Sequence, residues 1–273
     1  KFAFADDSRT TLGTGLAVAT NSNAAMANSG VAGYNAGGYT ATGQTANIDK
    51  FAFPADTRTT LGTGLSNAVY IPAGMANSGT AGYFAGGTDG TNYYTTVDKF
   101  AFPGDSRTTL GTGLSAINGG PGGMADNGVA GYFGGGARWP NYYTTVDKFA
   151  FPGDSKSTLG TGLSVGRDGI TGMANSGTAG YFGGGYQSGG PALATVEKFA
   201  FPGDTRTILS TGLSTAVSYT GGNADSGTAG YFGGGNNNQT TVDKFAFPGD
   251  TRTTLGTGLS AGRGYVAGMA DNL

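Results

Sequence analysis

Residues 243–260 read DKFAFPGDTRTTLGTGLS, and variants of this stretch occur six times, with the lysine at 1, 50, 99, 148, 198 and 244. The chain is therefore one unit of about 49 residues copied along its length, a period that signals a propeller or a solenoid. Working outward in the third copy, four short apolar segments alternate with turn chemistry. Lys99 to Phe102 alternates with period two and ends at Pro103-Gly104-Asp105, and Thr108 to Leu114 alternates again, with Leu110, Thr112 and Leu114 on one face. Gly123-Met124-Ala125 precedes Asp126-Asn127-Gly128, a hairpin signal because Asn-Gly readily supplies positive φ, and Ala130 to Phe133 follows. We name these strands A (GMA), B (AGYF), C (KFAF) and D (TTLGTGL).

Four antiparallel strands per unit, with no stretch of helical periodicity, are what a propeller blade needs. The expected fold is all-β, a β-propeller of about six four-stranded blades forming one repeat domain over 1–273. A β-solenoid fibre is the rival reading, although solenoid coils usually repeat at shorter periods. The sequence contains six C-and-D pairs but only five complete A-and-B pairs, stopping at Asp271-Asn272-Leu273. The expected outcome is a ring with one irregular blade, or an open edge covered by another chain, since a bare strand edge invites pairing. Because position 1 is Lys and falls inside a unit, the chain reads as a piece of a longer protein.

The Gly-Gly-Gly that ends strand B, the following Thr-Val-Asp-Lys-Phe-Ala-Phe-Pro and the next Thr-Thr-Leu resemble a kelch-type blade in all six copies. They differ from it where that pattern places a tryptophan after the proline, because the only tryptophan, Trp139, lies in a loop. The KFAFP and GYFGGG wording is also similar to repeats of virion or tail-fibre proteins of marine cyanobacterial phages. This likeness implies an extracellular or virion-surface location.

Composition narrows the function. The absence of Cys removes disulfides and thiolate chemistry, and the absence of His removes the commonest general base and the usual zinc ligands. Kelch-type folds include a copper oxidase, but such a centre needs His. A net charge of −2 argues against nucleic-acid binding, which calls for a basic face. No apolar run approaches the length of a membrane span. The Gly runs lack the following helix and GK[ST] of a phosphate loop. Of the acidic residues, only Asp6, Asp89 and Asp168 fall outside repeated positions, so an Asp89/Asp168 pair is the remaining candidate for carboxylate hydrolysis of a glycoside. The expectation is a non-enzymatic protein with no cofactor and no metal. The repeated Asp-x-Arg turns read as local ion pairs.

Antiparallel succession places the A-to-B and C-to-D turns at one end of the propeller and the B-to-C and D-to-A loops at the other. The first end is nearly the same in every copy, and the second is where copies differ, a division expected of a binding face on a rigid frame. All sixteen Phe are in framework positions, whereas nine of fourteen Tyr (Tyr39, Tyr70, Tyr93, Tyr94, Tyr142, Tyr143, Tyr186, Tyr219 and Tyr265) lie in or beside the variable loops. Trp139 and the three non-repeated basic residues, Arg138, Arg167 and Arg263, join them. Aromatic rings and Arg amid Gly, Ser and Asn suit adaptable binding loops. The same tyrosines could instead simply cover loop backbone. The candidate ligand-binding set is Arg138, Trp139, Asn141, Tyr142 and Tyr143 on the third B-to-C loop, with Asp89, Tyr93, Tyr94, Arg167, Asp168 and Tyr186 on adjacent loops. The expected ligand is a host-surface glycan, or a receptor. The alternative is a structural or protein-binding propeller contacting other virion or surface subunits.

Overall fold

The computed structural model describes residues 1–270. It is a β-propeller of five four-stranded blades, each an antiparallel sheet in the order A-B-C-D. The third runs through Gly119–Asp126, Ala130–Arg138, Val146–Ala150 and Ser155–Thr158, with a short extra strand, Asn141–Tyr142, on strand B. The expected count of about six blades is thus corrected to five, and no solenoid forms. Among the described residues, the sixth sector of the ring holds the N-terminal C and D segments, joined by a bridge from Phe2 to Arg9, and a C-terminal segment in place of strand A. Asp271, read as part of an A-to-B turn, lies outside the described residues.

Each strand takes its place for a physical reason. Strand A of one blade lies against strand A of the next around the axis, and a glycine at each crossing permits the approach. Strand B is buried along its whole length, as in Ala179–Gly183, so its residues are small or aromatic throughout rather than alternating. Strand D is outermost and exposed. It is also shorter than the alternation suggested: pairing covers Ser106–Thr109, and the following residues turn inward to bury Leu114. There Gly113 backs onto the Thr95 carbonyl, where a Cβ would stand 2.3 Å from the oxygen.

A repeated set of contacts joins neighbouring sectors. The strand B tyrosine donates its hydroxyl to the Asp of the next sector's C-to-D turn, and the strand C lysine binds the same carboxylate. Tyr83 and Lys99 meet Asp154 at 2.7 and 2.6 Å, and Tyr132 and Lys148 meet Asp204 at 2.8 and 2.6 Å. The lysine also sits over the tyrosine ring, and the phenylalanine before the turn proline stacks against it, as Phe151 does on Tyr83. The Asp-x-Arg turns are therefore ties between sectors rather than local pairs. Their arginines reach across as well, Arg107 donating to the Gly64 carbonyl at 2.7 Å. The ring closes through the same contacts: Tyr231 and Lys244 of the fifth blade bind Asp7, and Lys1 binds Asp56 of the first.

The repeated end is ordered by its turns. Gly128 has φ +77°, and its N–H donates to Asn77 Oδ1 of the previous blade at 2.8 Å. A Cβ there would meet nothing within 4 Å, so only the left-handed backbone penalises substitution. Gly128→Val should lower stability by about 1–3 kcal/mol, whereas Asn237→Ala in a variable loop, also left-handed at φ 62°, should cost less because Ala has no β-branch. Thermal melts of the two variants measure the difference.

Candidate binding face at the channel mouth

The D-to-A loops converge where strand A begins. Four-residue stretches beginning at Ser22, Ile71, Gly120, Gly169 and Tyr265, with Tyr219, Thr220 and Gly222, line a cavity of about 100 Å³ at the variable end of the central channel. One residue in each sector has left-handed backbone: Ser22 (φ 58°), Ile71 (51°), Gly120 (69°), Gly169 (59°), Tyr219 (57°) and Tyr265 (57°). That conformation is uncommon for non-glycine residues and unfavourable for a β-branched one such as Ile71. Hydrogen bonds between sectors hold it. The Ile71 N–H donates to Ser22 O at 2.7 Å, Gly120 N–H to Ile71 O at 2.8 Å, and Tyr219 N–H to Gly169 O at 2.7 Å. The rim of the mouth is thus a belt of backbone tied between sectors, to which Ser22, Ile71, Tyr219 and Tyr265 add side chains while the third and fourth units place Gly120 and Gly169 there.

Tyrosines gather around this rim. The Tyr219 and Tyr265 rings lie 4.4 Å apart, Tyr39 and Tyr70 meet edge to face at 5.8 Å, and Tyr142 and Tyr186 from successive loops are 6.4 Å apart. The Tyr93 ring lies beside Gly119, next to the rim. Tyr219 covers Gly169 and donates its hydroxyl to Asp168 Oδ2 at 2.8 Å, while Asp168 Oδ1 is buried without a hydrogen-bond partner. Burial pushes the Asp168 carboxyl above its ordinary range, against the Tyr219 bond, which lowers it. Burial, then the Asp168 charge, raises the Tyr219 phenol. Burial also raises Tyr70 and Tyr142.

The remaining candidates separate into two groups. Trp139 forms the tip of the hairpin in which Ala137 pairs with Tyr142 and Arg138 with Asn141, and it is 76% exposed. Among the described residues it makes no ring contact with the tyrosines. Arg138 and Asn141 are exposed beside it, and Tyr143 donates its N–H to Gly136 O at the base. Asp89 organises its own loop. It accepts from Thr91 N at 2.8 Å, Asn92 N at 2.6 Å and the Tyr94 hydroxyl at 2.7 Å. The Asn92 N–H, then the Tyr94 hydroxyl, hold its carboxyl well below the usual range.

Arg167 departs from the loop-surface placement: it is fully buried and binds Glu197 Oε1 at 2.6 Å. The reason lies in the repeat. Its counterparts Val69, Asn118 and Val217 are likewise buried beneath the D-to-A loops, so this position points inward in the four blades from the second to the fifth, although Arg263 at the same position of the sixth unit is exposed. The rim residues Tyr219 and Tyr265, which the choice of sites omitted, had a readable signal. Each stands three residues before the second glycine-containing pair of strand A, in register with Ile71 of Ile-Pro-Ala-Gly-Met-Ala.

These features define the protein as a β-propeller with a recess at the variable end of its channel. Among solved structures it is similar to that of YjhT, with a TM-score of 0.74 and 15% identity, covering 93% of this chain and 88% of that one. A likeness at this identity concerns the fold alone. No sequence family and no curated protein matches the chain. Among the described residues, no helix is long and apolar enough to cross a membrane and no cluster of acidic residues could hold a metal ion.

Proposed function

We propose that this chain is a non-enzymatic recognition propeller of kelch type that binds a host-surface glycan, on the outside of a cell or virion, at the variable end of its channel. The observation that carries this reading is the convergence of six sequence-divergent loops on one tyrosine-rich mouth, while the opposite end repeats the same Ser, Asn and Gly turns. Tyrosine rings offer flat faces to sugar C–H groups, and Asn141 and backbone carbonyls are acceptors for hydroxyls. Trp139, standing clear of the frame on its hairpin, supplies a second ring for a longer saccharide.

The test is binding of the intact chain to a glycan array, followed by titration of any bound saccharide. Tyr265→Asn, which keeps a residue tolerant of left-handed backbone, and Trp139→Ala should each weaken binding by about 2 kcal/mol, roughly thirtyfold, with melting temperature unchanged. Loss from Tyr265→Asn alone would confine the site to the mouth. An array with no binding, alongside capture of another surface subunit through these loops, would favour a structural propeller.

A further inference from the structure

The closest aromatic contact at the mouth is between two phenols. Tyr219 and Tyr265 occupy the same position of successive units, each with left-handed backbone at φ 57°, and their ring centroids are 4.4 Å apart at a tilt of 34°. The other tyrosine pairs are wider, Tyr39 with Tyr70 edge-on at 5.8 Å and Tyr142 with Tyr186 at 6.4 Å. Four strand B tyrosines instead stack on phenylalanine, at 5.4 or 5.5 Å, and phenylalanine has no hydroxyl. The backbones that carry Tyr219 and Tyr265 are tied to each other and to the rim: the Tyr219 N–H donates to Gly169 O at 2.7 Å, and the Val266 N–H to Tyr219 O at 3.1 Å. Rings held this way need little search before they meet.

The surroundings also equip one of the phenols to lose a proton. Tyr219 donates to Asp168 Oδ2 at 2.8 Å, and Asp168 Oδ1 is buried without a hydrogen-bond partner. Burial makes this carboxylate a stronger base than an ordinary one. A phenol gives up an electron readily only when its proton leaves with it, and Asp168 stands where that proton goes. Tyr265 is 42% exposed, which opens the pair to an oxidant from solution. The chain has no Cys, so a disulfide cannot staple these loops.

We infer that Tyr219 and Tyr265 form an oxidative coupling site, at which a peroxide-driven one-electron oxidant joins the two rings as dityrosine. Each phenol loses one electron and one proton, Tyr219 to Asp168 and then solvent, Tyr265 to water directly. Hydrogen peroxide accepts both electrons and both protons and is reduced to two waters. The phenoxyl radicals pair in a carbon–carbon bond between ring positions ortho to the hydroxyls, and the hydrogen on each joined carbon moves to its phenol oxygen. The product is lighter by two hydrogen atoms. The link closes a loop around all four strands of the fifth blade, from Gly221–Asp225 to Thr251–Thr254.

Treating the full chain with a haem peroxidase and hydrogen peroxide tests this, read by dityrosine fluorescence, denaturing gels and tryptic mapping. The expected product is a single chain in which the peptide 207–244 is joined through Tyr219 to the peptide that begins at Gly264. Its melting temperature should rise, since the link restricts the unfolded chain. Tyr265→Phe, which keeps the flat ring used for sugar stacking, should remove the link and melt like the untreated wild type. Asp168→Asn, which keeps an acceptor for Tyr219, should slow the link about a hundredfold, the lower end for a positioned base. Absence of dityrosine, dityrosine only between chains or spread evenly over other tyrosines, a link that persists in Tyr265→Phe, or an unchanged rate in Asp168→Asn would overturn the proposal. None of these outcomes bears on glycan binding by the untreated protein.

Discussion

Arg167→Val is expected to lower stability by about 3 kcal/mol, because it leaves the Glu197 carboxylate buried without its cation. Both side chains are fully buried and meet at 2.6 Å. Ser164 still donates to Glu197 through its N–H and hydroxyl, each at 2.9 Å, and Arg206 Nε stands 3.5 Å away; these keep the loss at the lower end for a broken buried pair. The substitution alone does not recreate another blade. In the second blade Val69 accompanies Asp98, whose Oδ1 accepts the Thr109 hydroxyl at 2.6 Å, and in the fifth Val217 accompanies Asp243 and Thr254, again at 2.6 Å. The fourth blade changes all three members together, to Arg167, Glu197 and Ile208. The longer Glu brings its charge to where Val stood, Arg neutralises it, and the hydroxyl has no acceptor left to serve. Arg167→Val/Glu197→Asp/Ile208→Thr should therefore recover most of what Arg167→Val loses, because the three residues act as a coupled set. Urea unfolding midpoints of the wild type, single and triple variants measure this. A triple variant no more stable than the single would show that the three do not act together.

Gly172→Val should be the second severe change, at about 3 kcal/mol, the upper part of the range for overpacking a close-packed core. A Cβ on Gly172 would stand 2.1 Å from the Gly123 carbonyl oxygen and 2.6 Å from its carbon. Backbone at both sides of the crossing leaves no flexible side chain to yield. The strand B glycines differ in kind: Gly131 would place its Cβ 2.0 Å from Met75 Sδ, and a methionine tip can move. Gly131→Ala should consequently lose less than Gly172→Ala. Thermal melts rank the pair, and the reverse order would show that the axial crossings have slack.

Much of the frame was legible because six copies of one unit vote on every position. The four strands, their order and the division into a repeated and a variable end follow from alternation and turn residues that recur. The blade count failed because C-and-D pairs and A-and-B pairs are unequal in number, and only strand B, buried on both faces between A and C, completes a sheet. The turn aspartates were read as local because their partners, Lys and Tyr, lie 52 to 72 residues upstream in the preceding sector, or, for Asp7, 237 and 224 residues downstream. Nothing in local spacing shows a tie between sectors. The candidate site was legible as a face and not as a point. Tyr142 and Tyr186 do meet, but Arg167 is buried, since loop residues near strand A alternate between the rim and the inter-blade space.

The belt of left-handed residues at the mouth has a consequence for how such a surface can change. Its shape is held by main-chain ties between sectors, while the side chains it displays, Ser22, Ile71, Tyr219 and Tyr265, come from four of the six units, the other two placing Gly120 and Gly169 there. Units nearly identical outside their loops also make nearly identical contacts with whatever unit precedes or follows them. Unequal crossing-over among such copies can reorder the displayed side chains without altering the seams, so the ring works as a set of interchangeable cassettes that can present new combinations from an unchanged inventory.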